Sequence, residues 1–275
     1  MMDFLLTKPF FAALIMGLCC PLVGRHLVLG RSVLLGLALP QVSLTGVALV
    51  FFGAASGWGW CTAFTDDTTR AFFGAALLTL PVLFLLATRP RLSETTLAFV
   101  YLAAISIANL LLCGNAVGET YTQDLFHGRL LLISDANLAV LAATLGVCTA
   151  ASLLARRRIQ LTLLDPDFAR ASGIDTRRWN RVTALLNGAV ICVAVAATGP
   201  LVTFGFLILP VLCAAALARS LRAHLALALA FGAGMAVAGC ALAYQYDLPL
   251  GDCVVATGCV ALLLVYAVRG CGFFK

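Results

Sequence analysis

The sequence predicts an all-α, polytopic integral membrane protein with eight to nine transmembrane helices. Three observations predict it. Of the 275 residues, 62% are hydrophobic and only 11% are charged, with a mean hydropathy of +1.04. A water-soluble domain cannot hide that much apolar surface. The apolar residues also fall into blocks near the roughly 20 residues that a helix needs to cross hydrocarbon. Finally, the basic residues alternate between the connections, as they do when one side of a membrane holds the positive charge.

Taken in order, the first block runs from Phe10 to Val23 or beyond, the second from Val33 to Phe52, and the third from Ala71 to Ala87. The fourth spans Leu97 to Cys113, the fifth Ala136 to Ala155, and the sixth Val182 to Ala197. The seventh spans Leu201 to Ala218, the eighth Leu225 to Tyr244, and the ninth Cys253 to Val268. Gly199-Pro200 sets the sixth and seventh tight against each other, which admits a broken or re-entrant arrangement there. A single transmembrane domain covers 1–275, with no separate soluble domain and no fixed-period repeat. The N-terminus reaches Pro9 without a basic region or a small-residue cleavage site, so no signal peptide is expected.

Orientation follows from Lys and Arg. One set of connections holds Arg25, Arg31, Arg89, Arg91, Arg156, Arg157, Arg158, Arg170, Arg177, Arg178, Arg181, Arg219, Arg222, Arg269 and Lys275. The opposite set holds Lys8, Arg70 and Arg129, which makes 15 against 3 of the 18 basic residues. The outward connections instead collect acids: Asp3, Asp66, Asp67, Glu119, Asp124, Asp135, Asp247 and Asp252. Nine alternating spans with the N-terminus out and the C-terminus in satisfy this pattern. The net charge of +6 is thus read as inner loops rather than nucleic-acid binding.

One polar stretch interrupts the apolar blocks. Asp165 suits an N-cap, Pro166 the first helical position, Asp167 the first turn, and Gly173 a left-handed C′ position. Two turns of helix result, with Arg156 to Arg158 before it and Arg177, Arg178 and Arg181 after it. On the inner side such a helix either joins two spans or docks a soluble partner.

Other chemistry is sparse. No HExxH, GxSxG or Walker A sequence occurs. The 11 cysteines lack CxxC spacing and read as small hydrophobes. His26, His127 and His224 lie near span ends, far apart in sequence, and read as polar interface residues rather than metal ligands. No ionisable residue stands clearly at a span centre, where it would be functional by default. The uncharged groups Gln41, Ser43, Thr45, Ser106, Asn109 and Asn187 either bond helix to helix or line a polar pathway. Gln41, Ser43, Asn109 and Asn187 are the candidate lining residues, and Asp247 and Asp252 sit at the outer mouth of the last hairpin. Trp58 and Trp60 suit an outer headgroup belt. Gly53–Gly57 and Gly114–Gly118 have the spacing of close helix contacts.

The run Leu164 to Ile174 resembles the cytoplasmic coupling segment of permease subunits of bacterial zinc/manganese-type ABC importers. Gly199 to Pro210, followed by Ala214 to Arg219, is similar to that family's next signature, and Tyr246 to Gly251 to its outward turn before the last span. Pro21 to Gly24 and Leu39 to Gly46 also fit, so the likeness covers the chain in order. It implies a homodimeric permease in the bacterial inner membrane. Asp165, Pro166, Asp167, Phe168, Ala169, Arg170 and Gly173 would couple it to a cytoplasmic ATPase, and an extracytoplasmic binding protein would deliver a divalent metal ion or its chelate. This chain would bind no cofactor; ATP and Mg²⁺ would be used by the partner.

The likeness fails at one place. The family's second span usually carries an aspartate and, four residues later, a histidine. Aligning its glycine on Gly46 puts Leu37 at the acid position and Gln41 at the histidine position, and Pro40 replaces a small polar residue. Leucine coordinates nothing, and an amide oxygen is a weaker, harder ligand than imidazole. The metal therefore stays unassigned. The rival readings are a secondary transporter or channel, which needs no ATPase, and an intramembrane enzyme, which needs a cluster of reactive groups in the spans.

Overall fold

The computed structural model describes residues 2–30, 32–59, 67–87, 94–113 and 135–269. These residues are helical apart from short connections. In chain order the helices are α1 (Met2–Leu29), α2 (Val33–Ala55), α3 (Asp67–Ala87), α4 (Glu94–Cys113) and α5 (Asp135–Leu154). Then follow α6 (Arg156–Leu164), α7 (Pro166–Ala171), α8 (Thr176–Thr198), α9 (Pro200–Leu217), α10 (Leu221–Tyr246) and α11 (Leu250–Arg269).

Each apolar block of the sequence falls on one long helix, to within one residue at its end, so the chain is a multi-pass membrane protein. Seven of the described helices are long and apolar enough to cross a membrane. The apolar part of α3, Thr69–Leu85, is slightly shorter, and Leu138–Leu154 forms a broken pair with α6, bent by 70°. The junction at Gly199 is a sharp break between two complete helices, not a pair of half-helices: α8 has 23 residues and α9 has 18. Its glycine sits at φ 84°.

Two expectations about local structure change. The first block does continue beyond Val23, helical to Leu29, so the connection expected to hold Arg25 does not begin there. Arg25 and His26 are therefore helix residues, both buried, and not loop residues. The charged run after the fifth block is not a loop either. Arg156–Leu164 is helix, with Ile159 and Thr162 buried on one face.

The centre of the bundle is built from α1, α2, α8 and α9, with Met16, Leu39, Leu44, Ile191 and Phe206 among its fully buried side chains. Around it, α3 and α4 pack on α2, α5 packs on α1 and α8, and α10 and α11 pack on α9. Lipid tails are as apolar as leucine, so burial alone does not press membrane helices together; close packing does. The approach of α2 to α3 shows this. A Cβ on Gly74 would stand 2.7 Å from the Gly46 carbonyl oxygen, so only glycine lets these backbones meet. By contrast, Gly57 lies beyond the end of α2 with open space around it, so the Gly53–Gly57 spacing makes no paired contact. Gly114–Gly118 lies outside the described residues, as do Trp60 and His127. Trp58, just past α2, is 43% exposed and packs edge-to-face on Phe52.

Candidate coupling and permeation sites

The helix α7 is closed at both ends by its own sequence. The Asp165 carboxylate accepts a hydrogen bond from the Phe168 N–H at 2.9 Å, and Pro166 occupies the first turn. At the far end Gly173 adopts φ 78°. The Gly173 N–H donates to the Arg170 carbonyl at 3.0 Å and the Ile174 N–H to the Ala169 carbonyl at 2.9 Å. Those two bonds are a complete Schellman closure, which a residue with a Cβ would strain. The next helix is capped as well: the Asp175 carboxylate accepts from the N–H groups of Arg177 and Arg178.

Side-chain directions divide the predicted coupling residues. Ala169 is fully buried and anchors α7 inward. Phe168 is 56% exposed, and Pro166, Asp167 and Arg170 are exposed beside it. Arg170 reaches Asp167 at 3.4 Å across an exposed turn, a pair that contributes little to stability. A large aromatic thus projects from a small polar helix. Asp165 and Gly173 shape that helix, and Pro166, Asp167, Phe168 and Arg170 form its outer face.

The candidate lining residues do not form one cluster. Asn187 is buried and its Oδ1 lies 3.3 Å from His26 Nδ1, which joins α8 to α1. Ser43 is fully buried on α2, and its hydroxyl has no hydrogen-bond partner; the same holds for Gln41 Oε1. Nearby, the Thr45 hydroxyl bridges the Gln41 and Ala104 carbonyls, both at 2.8 Å, and fixes α4 against α2. Asn109 lies on the other side of α4 from that contact. It is exposed in the protomer together with Phe99, Leu102 and Ser106.

Between Gly36 and Ala48, only Leu37 and Gln41 are partly exposed; every other residue there is buried. They lie one helical turn apart and so share one face. Between them Pro40 has no N–H to offer the Gly36 carbonyl. The two positions that depart from the resembled family's acid and histidine thus form the one open stripe in the middle of α2. At the opposite end of the bundle, Asp247 closes α10 in a left-handed conformation at φ 50°, and Asp252 lies in the first turn of α11. Lys8 pairs with Asp135 at 2.7 Å, which ties the starts of α1 and α5 together.

No group of three or more His, Cys, Asp or Glu side chains placed to hold a metal occurs among the described residues. The nine described cysteines are free thiols, mostly buried. Sequence reading missed Gln160 and the burial of Arg25, which meet where α1, α6 and α10 come together. The signal available was weak: a glutamine beside two apolar residues in a helix that the arginine run disguises.

The family model described as the ABC 3 transport family matches residues 2–269. The chain belongs to that family. Among curated relatives, a "Probable metal transport system membrane protein" of Treponema pallidum is 29% identical over 97% of this chain and 96% of its own length. The manganese import system permease protein ScaB of Streptococcus gordonii is 24% identical over 95% of this chain and 90% of its own length. Among solved structures, PsaBC from Streptococcus pneumoniae in complex with Fab superposes with a TM-score of 0.77 at 21% identity. That match covers 95% of this chain and 91% of the other and establishes a shared fold.

Proposed function

We propose that this chain is the permease subunit of an ATP-driven importer for a divalent metal ion of the zinc, manganese or iron class, or for its chelate. The observation that carries the proposal is α7. It is a self-capped helix with an exposed phenylalanine, set among basic segments that the positive-inside pattern places in the cytoplasm. A soluble ATPase would seat Phe168 in an apolar cleft and engage Asp167 and Arg170. The relatives whose names state manganese import support the substrate class.

Two copies of the chain would form the pathway in the bacterial inner membrane, with N-termini out and C-termini in. The face of α4 that carries Ser106 and Asn109 motivates the dimer. An amide against lipid is costly, and a second copy would remove it from lipid. Gln41 would supply a neutral oxygen to the passing ion from the open face of α2, joined by Asn109 from the dimer seam, while Ser43, fully buried on the far side of α2, and Asn187 would act deeper in the bundle. Neutral oxygens favour transient passage over tight capture. An extracytoplasmic binding protein would deliver the ion near Asp247 and Asp252, whose charge attracts cations.

The test is uptake into proteoliposomes that hold the chain, its ATPase and its binding protein, with Mn²⁺ and Zn²⁺ offered separately. Uptake should require ATP and the binding protein. Gradient-driven uptake by the chain alone would instead establish the secondary-transporter reading.

A further inference from the structure

Arg25 is 5% exposed and stands inside the last turns of α1, which ends at Leu29. No carboxylate pairs with it among the described residues, and Arg156 lies near enough to repel it. A buried guanidinium is costly unless its donors are satisfied. Arg25 satisfies its two Nη groups on two other elements, while its Nε is buried without a partner. With the Gln160 amide turned so that its oxygen faces the guanidinium, the orientation its surroundings demand, that oxygen accepts from Nη2 at 2.8 Å and from Nη1 at 3.0 Å. Nη2 also donates to the carbonyl of Leu221 at 3.3 Å. Gln160 belongs to α6 and Leu221 opens α10, so one side chain joins three elements.

The position of α6 gives this junction its consequence. It is a nine-residue helix that runs directly into α7. The Asp165 N–H donates back to the Leu161 carbonyl at 3.0 Å, and the Ala169 N–H to the Asp165 carbonyl at 3.0 Å, so the two short helices are linked through consecutive backbone bonds. Arg158 of α6 stacks over the Trp179 ring of α8 at 5.4 Å, and Ile159, beside Gln160, is fully buried. A push on α7 therefore reaches α6. From α6 the Arg25–Gln160 hydrogen bonds lead into α1 and α10.

We propose that Arg25 and Gln160 form a latch that passes displacement of the α6–α7 hairpin to α1 and α10, which makes both of them positioning residues for energy coupling. The proposal rests on the reading of α7 as the ATPase-docking element. The latch transmits force because a guanidinium shared between one side-chain oxygen and one main-chain carbonyl resists both separation and rotation. Without it, α6 would bend at its 70° break from α5 and leave the spans in place.

The experiment compares Gln160→Leu and Gln160→Glu in the complete complex in proteoliposomes, reading ATPase co-purification, ATP hydrolysis, and Mn²⁺ taken up per ATP hydrolysed. Gln160→Leu keeps the size and removes the acceptor. It should leave the ATPase bound and hydrolysing, and lower uptake per ATP about tenfold, the factor that a lost charge-assisted hydrogen bond represents. Gln160→Glu keeps an acceptor for Arg25 and should retain coupling. Arg25→Gln, where it folds, should match Gln160→Leu, and the double variant should be no worse than either. An unchanged ratio in Gln160→Leu overturns the latch, as does equal loss in Gln160→Leu and Gln160→Glu. Loss of the ATPase from Gln160→Leu would make Gln160 part of the docking surface and also overturn it. Failure of the unsubstituted chain to bind any ATPase would instead remove the docking reading itself.

Discussion

The α6–α7 hairpin and the middle of α2 are both polar interruptions in an apolar chain, and they handle polarity in opposite ways. In the hairpin the local groups are satisfied from within: Asp165 caps α7, Gly173 and Ile174 close it, and Asp175 caps α8. In α2 the Gln41 oxygen and the Ser43 hydroxyl are buried without partners, one turn and less from a proline that frees a carbonyl. The hairpin is thus complete in one protomer and lacks only something to press against Phe168. The middle of α2 is incomplete in one protomer, because buried polar atoms without partners cost free energy that a new partner, such as a second wall or a passing ion beside Gln41, would recover. Completeness suits a lever and incompleteness suits a pathway.

The strongest way to break that contrast is Phe168→Asp. A carboxylate placed in an apolar cleft would weaken docking by more than about a hundredfold. Co-purification of the ATPase should be lost and uptake should fall to background, while the thermal midpoint of the permease stays unchanged because Phe168 is 56% exposed. Ala169→Asp is a poor substitute, since Ala169 is fully buried and its change would disrupt the hairpin itself. A bound ATPase in Phe168→Asp would remove α7 from the docking surface.

A smaller effect sharpens the other side. Gln41→Ala combined with Asn109→Ala should leave the ATPase bound and lower Mn²⁺ uptake about five- to tenfold, the equivalent of one lost neutral hydrogen bond or slightly more. The two residues occupy different faces in the protomer, so the substitutions should be close to additive unless a second copy brings them together. Unaltered uptake would exclude both from the pathway.

Legibility in the sequence follows the same division. The hairpin was readable because its determinants are adjacent: caps at Asp165 and Gly173 act within one or two turns, and each has a distinct residue preference. The spans were readable because bilayer thickness fixes their length. What was not readable depends on partners remote in the chain. Gly46 and Gly74 meet only once α2 and α3 are packed. Arg25 looked like a loop charge because its acceptor, Gln160, lies far along the sequence. The arginine run at Arg156 hid α6, since hydropathy registers the three charges and not the buried face of Ile159 and Thr162. Asn109 shares with Gln41 the reading of a candidate lining residue because both are amides in spans. Its actual placement follows from Thr45 bonding to Ala104, which turns Asn109 away from α2.

The smallest predicted effect tests whether the hairpin is as self-contained as its hydrogen bonds imply. Asp165 has two possible uses: it caps α7 through the bond to the Phe168 N–H at 2.9 Å, and its exposed charge is available to a partner. Asp165→Ala removes both and should weaken ATPase binding about two- to fivefold, because an exposed cap contributes roughly 0.5–1 kcal/mol to holding the docking helix in shape. Asp165→Asn keeps an oxygen that caps equally well and removes only the charge. If capping is the role, Asp165→Asn binds almost like the unsubstituted chain, losing at most the few tenths of a kcal/mol that the charge gains from the helix dipole. Binding of the purified ATPase to the permease in nanodiscs, measured for both variants at two salt concentrations, separates the cases. Equal losses that shrink as salt rises would mean that Asp165 meets a cation on the partner. The hairpin would then share the incompleteness of α2, and its charged groups would have to be counted as half of an interface.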